Sequence, residues 1–250
     1  MSSSENKYVS RMTQAWFATT HWSMVLQAKE KTCSGSEQAL SSLCRVYWYP
    51  LYAFARRQGC SADEAGDLTQ GFFAKLLEKD WLAKITHQEG RFRNFLMVSM
   101  KHFIANERAK DRAQKRGGGR PLFRLDVETA ETRYRIEPAH ETTPEQIFER
   151  QWAVVLLDQV LTSLKAEYET KGKAQVFLTL KHCLTGQRDK LGYDTLAQEL
   201  QATPGAVRVM VHRLKERYRM LLREHIAHTV ATQEEVDLEL MHLKKALTAS

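Results

Sequence analysis

Residues 193–223 read YDTLAQELQATPGAVRVMVHRLKERYRMLLR, and the fold prediction starts from this stretch. A short apolar period follows Asp194 or Thr195, either of which can cap a helix, and the period ends at Gln201. A longer helix is predicted to begin at Pro204, because a proline at the first helical position loses no hydrogen bond. Its apolar face repeats at three- and four-residue spacing and comprises Val207, Val211, Leu214, Tyr218 and Leu221 or Leu222. Two helices joined by a tight turn form the helix-turn-helix pattern.

The second of these helices is strongly basic. Thr203 stands where an N-cap belongs, and between Pro204 and His225 there are six Arg or Lys and two Glu, a net charge of +4. A basic helix after a tight turn can enter a DNA major groove, where arginine reads guanine edges and other cations hold phosphates. The alternative interpretation is a surface helix pair whose arginines only keep an all-α domain soluble.

Charge is distributed unevenly along the 250 residues, which carry a net charge of +7. Residues 101–120 hold seven basic and two acidic side chains, a net of +5. Residues 126–149 hold seven acidic and two basic side chains, a net of −5. Basic blocks on both sides of an acidic one favour a polyanionic partner such as nucleic acid.

Neither metal nor covalent catalytic chemistry is predicted. The four cysteines form no CxxC pair, and the glycines at 117–119 are followed by no Lys-Ser or Lys-Thr of a phosphate-binding loop. His225 and His228 lie three residues apart, which is geometrically compatible with one metal ion but more typical of a surface pair. No window reaches the 18 or so apolar residues of a membrane span. We therefore expect a non-enzymatic, cytoplasmic protein without a cofactor, a metal or a membrane span; the enzyme alternative is a nuclease.

The remaining periodicity is helical, and no strand pattern stands out, so the fold class is predicted to be all-α. A helix over residues 37–58 should kink or restart at Pro50. Ser61 and Glu64 form a capping-box signature for the next helix. A long helix from Phe92 is apolar in its first half and cationic in its second, and residues 117–143 look like a flexible linker. Further helices are predicted to begin at Pro144 and in the tail after Ile226. The apolar stripe of the tail favours packing on the tail's own domain over binding a partner.

Three motifs occur in order. Asp67-Leu68-Thr69-Gln70 lies on the capped helix, Phe92-Arg93-Asn94-Phe95-Leu96 opens the long helix, and Ala206-Val207-Arg208 to His212-Arg213 lies in the basic helix. Together they resemble an extracytoplasmic-function (ECF) sigma factor over about residues 36–226. Gly71, where that family usually has Glu, and Gln201, where it often has Gly, depart from its pattern.

The resemblance implies an N-terminal extension (1–22), a region 2-like domain (23–116), an acidic linker (117–143), a region 4-like helix-turn-helix domain (144–227) and a C-terminal amphipathic helical extension (228–250). It implies a promoter-specificity subunit that binds core RNA polymerase and directs transcription initiation. The acidic linker would thread the polymerase channel that RNA later occupies. The rival interpretation is a helix-turn-helix transcriptional regulator that does not associate with polymerase.

The same resemblance implies three sets of binding residues. For polymerase they are Asp67, Leu68, Gln70 and Phe73. For the −10 element, whose nontemplate strand is melted, they are Arg91, Arg93, Lys101, His102, Asn106 and Arg108. For the double-stranded −35 element they are Thr203, Arg208, His212, Arg213, Lys215 and Arg217. An inhibitory anti-sigma protein is a further candidate partner.

Overall fold

A computed structural model describes residues 35–77, 92–113, 127–136, 142–184, 192–227, 230 and 232–248. Every regular element in these ranges is helical, which confirms the all-α prediction. In chain order the helices are α1 (Gly35–Arg57), α2 (Ala62–Leu77), α3 (Phe92–Ala113), α4 (Val127–Arg135), α5 (Pro144–Thr170), α6 (Ala174–Leu180), a 3-10 turn (Lys181–Leu184), α7 (Tyr193–Glu199), α8 (Pro204–Ala227) and α9 (Glu234–Thr248).

Helix α1 is one continuous helix through Pro50, so of the expected kink or restart the restart is wrong. A proline inside a helix removes one backbone hydrogen bond and costs about 3 kcal/mol. Tertiary packing offsets that cost, because Tyr47, Leu51 and Phe54 around the proline are completely buried. The helix ends at Arg57, and the turn that follows contains Gly59, whose positive φ of 87° suits a glycine.

The capping box at the start of α2 is confirmed. The backbone N–H of Glu64 donates to Ser61 Oγ at 3.2 Å, and the Ser61 N–H donates to Glu64 Oε2 at 2.7 Å. Gly71 on the same helix faces α3: a Cβ there would lie 3.4 Å from Phe103 Cζ. The glycine that departs from the family pattern therefore lies against a packed aromatic ring.

Helix α4 lies inside the stretch expected to be a flexible linker, and it packs on α1 and α2. Its Glu131 carboxylate accepts hydrogen bonds from the Tyr52 hydroxyl at 2.8 Å and from Arg56 Nε and Nη2 at 2.8 and 2.9 Å. Burial opposes ionisation, but the bonds and charge from Arg56, with the bond from Tyr52, keep the pKa of Glu131 below its ordinary value. This part of the linker is a docked helix.

The described residues form two compact units, and the divisions differ from the expected ones. The first unit contains the residues up to Val155 together with those from Ile226 onward, and the second unit contains Leu156–His225. The divisions thus fall inside α5 and near the end of α8. Helix α9, in the tail that was expected to form a separate C-terminal extension, belongs to the first unit.

Candidate nucleic-acid interface

The turn between α7 and α8, in the second unit, is defined by the backbone at Gln201. This residue takes a φ of +49°, and the Ala202 N–H donates to the Ala197 carbonyl at 2.9 Å. A left-handed residue closed by such a bond is the Schellman ending of a helix, normally built with glycine. Gln201 thus adopts the left-handed backbone conformation that glycine usually adopts at this position, at a conformational cost of about 1–2 kcal/mol.

The two helices begin at defined residues. The predicted cap at Thr203 is confirmed, because its Oγ1 accepts the Ala206 N–H at 3.2 Å. The predicted caps at Asp194 or Thr195 are wrong: α7 begins at Tyr193, after Gly192, with no side-chain cap bond. The difference is one or two residues, within the usual uncertainty of helix ends.

Helix α8 is seated on the core of the second unit by the predicted apolar stripe. Val207, Val211, Leu214 and Leu221 are buried together with Leu196 of α7. Because the stripe fixes the rotation of α8 about its axis, it also fixes which side chains face outward. The face of α8 that does not carry the apolar stripe is therefore held in a fixed orientation toward solvent.

The outward face of α8 carries most of the predicted −35 contacts. Arg208, His212 and Lys215 follow one another at four- and three-residue spacing along one stripe, and Arg213 lies on the adjacent one. Arg208, His212 and Arg213 are exposed, whereas Lys215 is half-buried. Among the described residues, no carboxylate pairs with these cations. The Arg208 guanidinium lies over the Tyr193 ring, 5.4 Å from its centroid.

Arg217 faces the core side of the helix instead, which corrects its assignment to the DNA contacts. Its Nε donates to both carboxylate oxygens of Glu167 in α5, at 3.1 and 2.9 Å, and its Nη1 donates to Glu224 at 3.2 Å. Hydrogen bonds from Arg217 lower the pKa of Glu167 against the effect of burial. A guanidinium held by two carboxylates has little capacity left for phosphate. The signal was in the sequence, since Arg217 lies three residues after Leu214 and four before Leu221.

In the first unit, α3 presents four of the predicted −10 residues to solvent. Lys101, His102, Asn106 and Arg108 are all exposed. Lys101 pairs with Glu145 at 3.3 Å, an exposed contact that contributes at most about 1 kcal/mol. Arg108 donates to the Gln58 carbonyl at 2.9 Å, which joins α3 to the end of α1. Arg91 lies outside the described residues.

Arg93 is buried, with only 3% of its side chain exposed, and this corrects its assignment as a DNA contact in the described conformation. Its guanidinium pairs with Glu149 of α5 at 2.8 Å and with Glu239 of α9. It also lies over the Trp152 ring, 4.4 Å from the centroid. Glu239 was not among the predicted site residues, although its spacing to Val236 and Leu243 places it on the apolar stripe of the tail.

The predicted polymerase contacts also include both exposed and buried residues. Asp67 on α2 is exposed, and Leu68 and Gln70 are partly exposed. Phe73 is 97% buried, with its ring 5.9 Å from that of Phe72, so it belongs to the core and its assignment as a surface contact is wrong. In the described parts of the chain, no hydrogen bond or ion pair engages the Asp67 carboxylate.

Part of the acidic block is paired within the protein. Glu131, Glu145 and Glu149 contact Arg56, Lys101 and Arg93 respectively, all within the first unit. Three of the seven acidic residues expected to face the polymerase channel therefore neutralise cations of this chain in the described conformation.

The described residues contain no cluster of three or more potential metal ligands. His225 lies 3.1 Å from Ser163 Oγ, and His228 is outside the described residues. No described helix combines the length and the apolar character that crossing a bilayer requires. Comparison with protein-family models, curated proteins and solved structures found no match to this chain.

Proposed function

We propose that this protein is a promoter-specificity subunit of the ECF sigma type, which binds core RNA polymerase and directs transcription initiation from two promoter elements. The observation that carries the proposal is the outward face of α8, where Arg208, His212 and Arg213 stand exposed on a helix rotated by its buried stripe. That arrangement suits insertion into a major groove, with arginine reading guanine and the other cations holding phosphates.

The first unit supports the proposed contacts with the −10 element and with polymerase. Lys101, His102, Asn106 and Arg108 provide polar and cationic groups along α3 that suit an unpaired nontemplate strand. Asp67 and Gln70 lie three residues apart on α2, hence on neighbouring positions of one face, and the Asp67 carboxylate is exposed. A polar pair of this kind, with one residue exposed and the other partly exposed, suits docking on a polymerase subunit.

The test is in vitro transcription with core polymerase on genomic fragments, together with co-purification. Asp67→Ala should lose polymerase binding. Asp63→Ala, which removes an exposed carboxylate one turn earlier on α2, should retain it. Arg208→Ala should retain polymerase binding and lose promoter selectivity. Lys165→Ala removes an exposed cation from α5 and is the charge-matched control for that variant.

The outcome also distinguishes the rival function. A chain that binds duplex DNA tightly alone and never co-purifies with polymerase would be a helix-turn-helix regulator, and the sigma proposal would be wrong. Loss of a bidentate arginine–guanine contact should cost about 1–3 kcal/mol of DNA binding. The loss should be confined to one base position of the upstream element.

A further inference from the structure

The outward face of α8 has an apolar side chain at its centre. Val209 lies three residues before His212 and four before Arg213, so it stands between these two cationic positions on the helix surface. The buried residues Val207 and Val211 lie two positions away on either side, which places Val209 on the side of α8 opposite the core. The valine is 50% exposed. The surface proposed to meet DNA is therefore cationic around an apolar middle.

Helix stability does not account for a valine at this position. Valine is a weaker helix former than alanine, lysine or arginine, because its branched side chain loses rotamer freedom against the preceding turn. With half of its surface exposed, Val209 gains only part of the free energy that burial of an apolar side chain provides. A contact with a bound molecule would supply the compensation that folding does not.

The backbone beside Val209 allows a bound molecule to come close. Side chains on a helix lean toward its N-terminus, so Val209 covers the turn that contains Gly205. Gly205 is exposed, and a Cβ there would lie more than 4 Å from every other described helix. A short side chain such as valine is contacted only where the helix itself is approached closely. The first two turns of α8 offer such an approach.

The major groove of DNA presents an apolar group of matching size. All base pairs display hydrogen-bond donors and acceptors there, and only thymine adds a 5-methyl group. The valine side chain neither donates nor accepts hydrogen bonds, so it discriminates bases only by contact with that methyl group. The first turns of a recognition helix are the part that meets base edges. Val209 lies in the second turn of α8.

The surroundings of Val209 favour DNA over an apolar protein surface. Exposed cations of α8 lie around it, and a protein interface would have to remove water from them. The next exposed apolar residue along α8 is Met220, beyond the ion pair between Glu216 and Arg219. Val209 is thus too isolated to form the apolar centre of a protein interface.

We infer that Val209 reads the 5-methyl group of one thymine in the upstream promoter element, while the neighbouring cations make the polar contacts. This inference rests on the proposed function, because it adds a specificity-determining residue to the surface proposed to contact the −35 element. The contact selects a thymine at one position without a hydrogen bond. Removing the methyl group from the DNA, or the valine from the protein, removes the same contact.

The test compares thymine with deoxyuridine, which pairs in the same way but lacks the methyl group. The wild-type chain, reconstituted with core polymerase, first selects duplexes from genomic fragments. Each thymine of the bound upstream element is then replaced by deoxyuridine, one at a time. Equilibrium binding is measured for the wild type, Val209→Ala and Met220→Ala. The last variant is the control, because it removes an exposed apolar side chain from the other half of α8.

The wild type and Met220→Ala should lose about fourfold in affinity at one thymine, the change expected for one methyl-sized group returned to water. Val209→Ala should bind the thymine duplex more weakly by a similar factor, and deoxyuridine at that position should weaken it no further. Val209→Thr keeps the shape and one methyl group, so its response should be intermediate. Val209→Ala should be at least as stable as the wild type, because alanine is the better helix former.

The inference is wrong if no deoxyuridine substitution separates the wild type from Val209→Ala. Loss of polymerase co-purification by Val209→Ala would also overturn it, because the valine would then be a protein contact. The same holds if Met220→Ala loses the thymine response, since the effect would not be specific to Val209.

Co-purification of the wild-type chain with polymerase tests the proposed function separately. A chain that selects duplexes alone and never binds polymerase loses the sigma function, and the same deoxyuridine scan on that chain still decides the role of Val209. A chain that selects no duplex in either form overturns both.

Discussion

The guanidinium of Arg217 in α8 donates hydrogen bonds to the carboxylate of Glu167 in α5, and its Nε lies within 3.1 Å of both carboxylate oxygens. The contact lies beneath the outward face of α8, and it separates the cations of this helix into two kinds. Arg217 joins two helices of the second unit, whereas Arg208 and Arg213 extend to solvent. Net charge along a helix does not distinguish these roles.

Arg217→Ala should destabilise the protein, whereas Arg213→Ala should leave its stability nearly unchanged. We expect a loss of about 1–3 kcal/mol for Arg217→Ala, because charge-assisted hydrogen bonds to Glu167 disappear and leave a partly buried carboxylate without them. Urea unfolding followed by circular dichroism measures the difference. Equal stability of the two variants would show that the Glu167 contact contributes nothing.

Gln201→Gly should stabilise the helix-turn-helix by about 0.5–1 kcal/mol. The left-handed backbone at Gln201 costs a side chain about 1–2 kcal/mol, and glycine avoids that cost but loses part of the gain to its greater freedom in the unfolded chain. Gln198→Gly, on the exposed side of α7, should instead destabilise by about 1 kcal/mol. Thermal unfolding of both variants checks the sign of each change, and stabilisation by both would refute the backbone argument.

Two glycines on α2 should respond differently to alanine. A Cβ at Gly66 would lie 3.0 Å from Val127 Cγ2 of α4, whereas one at Gly71 would lie 3.4 Å from the edge of the Phe103 ring. Both variants gain about 1 kcal/mol of helix propensity, but at Gly66 the added methyl group crowds the Val127 side chain of α4 more closely, so that side chain must shift. We expect Gly71→Ala to stabilise the protein and Gly66→Ala to be less stable than Gly71→Ala by about 1 kcal/mol. Equal midpoints of urea unfolding would show that α4 adjusts freely.

Acid should weaken the docking of α4 through Glu131. Its pKa in the folded protein lies below the unfolded value of about 4.3, so its contribution to stability is present above that pH and is lost as pH falls through the folded pKa. Glu131→Gln should therefore flatten the dependence of unfolding free energy on pH in the acid range. Glu128→Gln, an exposed position on the same helix, should leave the dependence intact, and equal slopes in both variants would contradict the assignment.

Local sequence signals predicted the elements that depend on neighbours along the chain. The Ser61–Glu64 capping box, the Thr203 cap and the buried stripe of α8 all agree with the structure, because each depends on spacing within a single helix. The same signals allowed a helix restart at Pro50, and the structure shows one continuous helix there. The backbone cost of the proline is local, but the packing that offsets it comes from other parts of the first unit.

The sequence by itself determined that this protein is helical, where the turn between α7 and α8 lies and where α8 begins, since helix periodicity and capping are properties of adjacent residues. Only the tertiary structure decided which charged residues are available. Arg93 meets Glu239 from the far end of the chain, and Arg217 meets Glu167 from another helix. A carboxylate from a distant segment can neutralise and bury a cation, and the residues around that cation do not identify which carboxylate will pair with it.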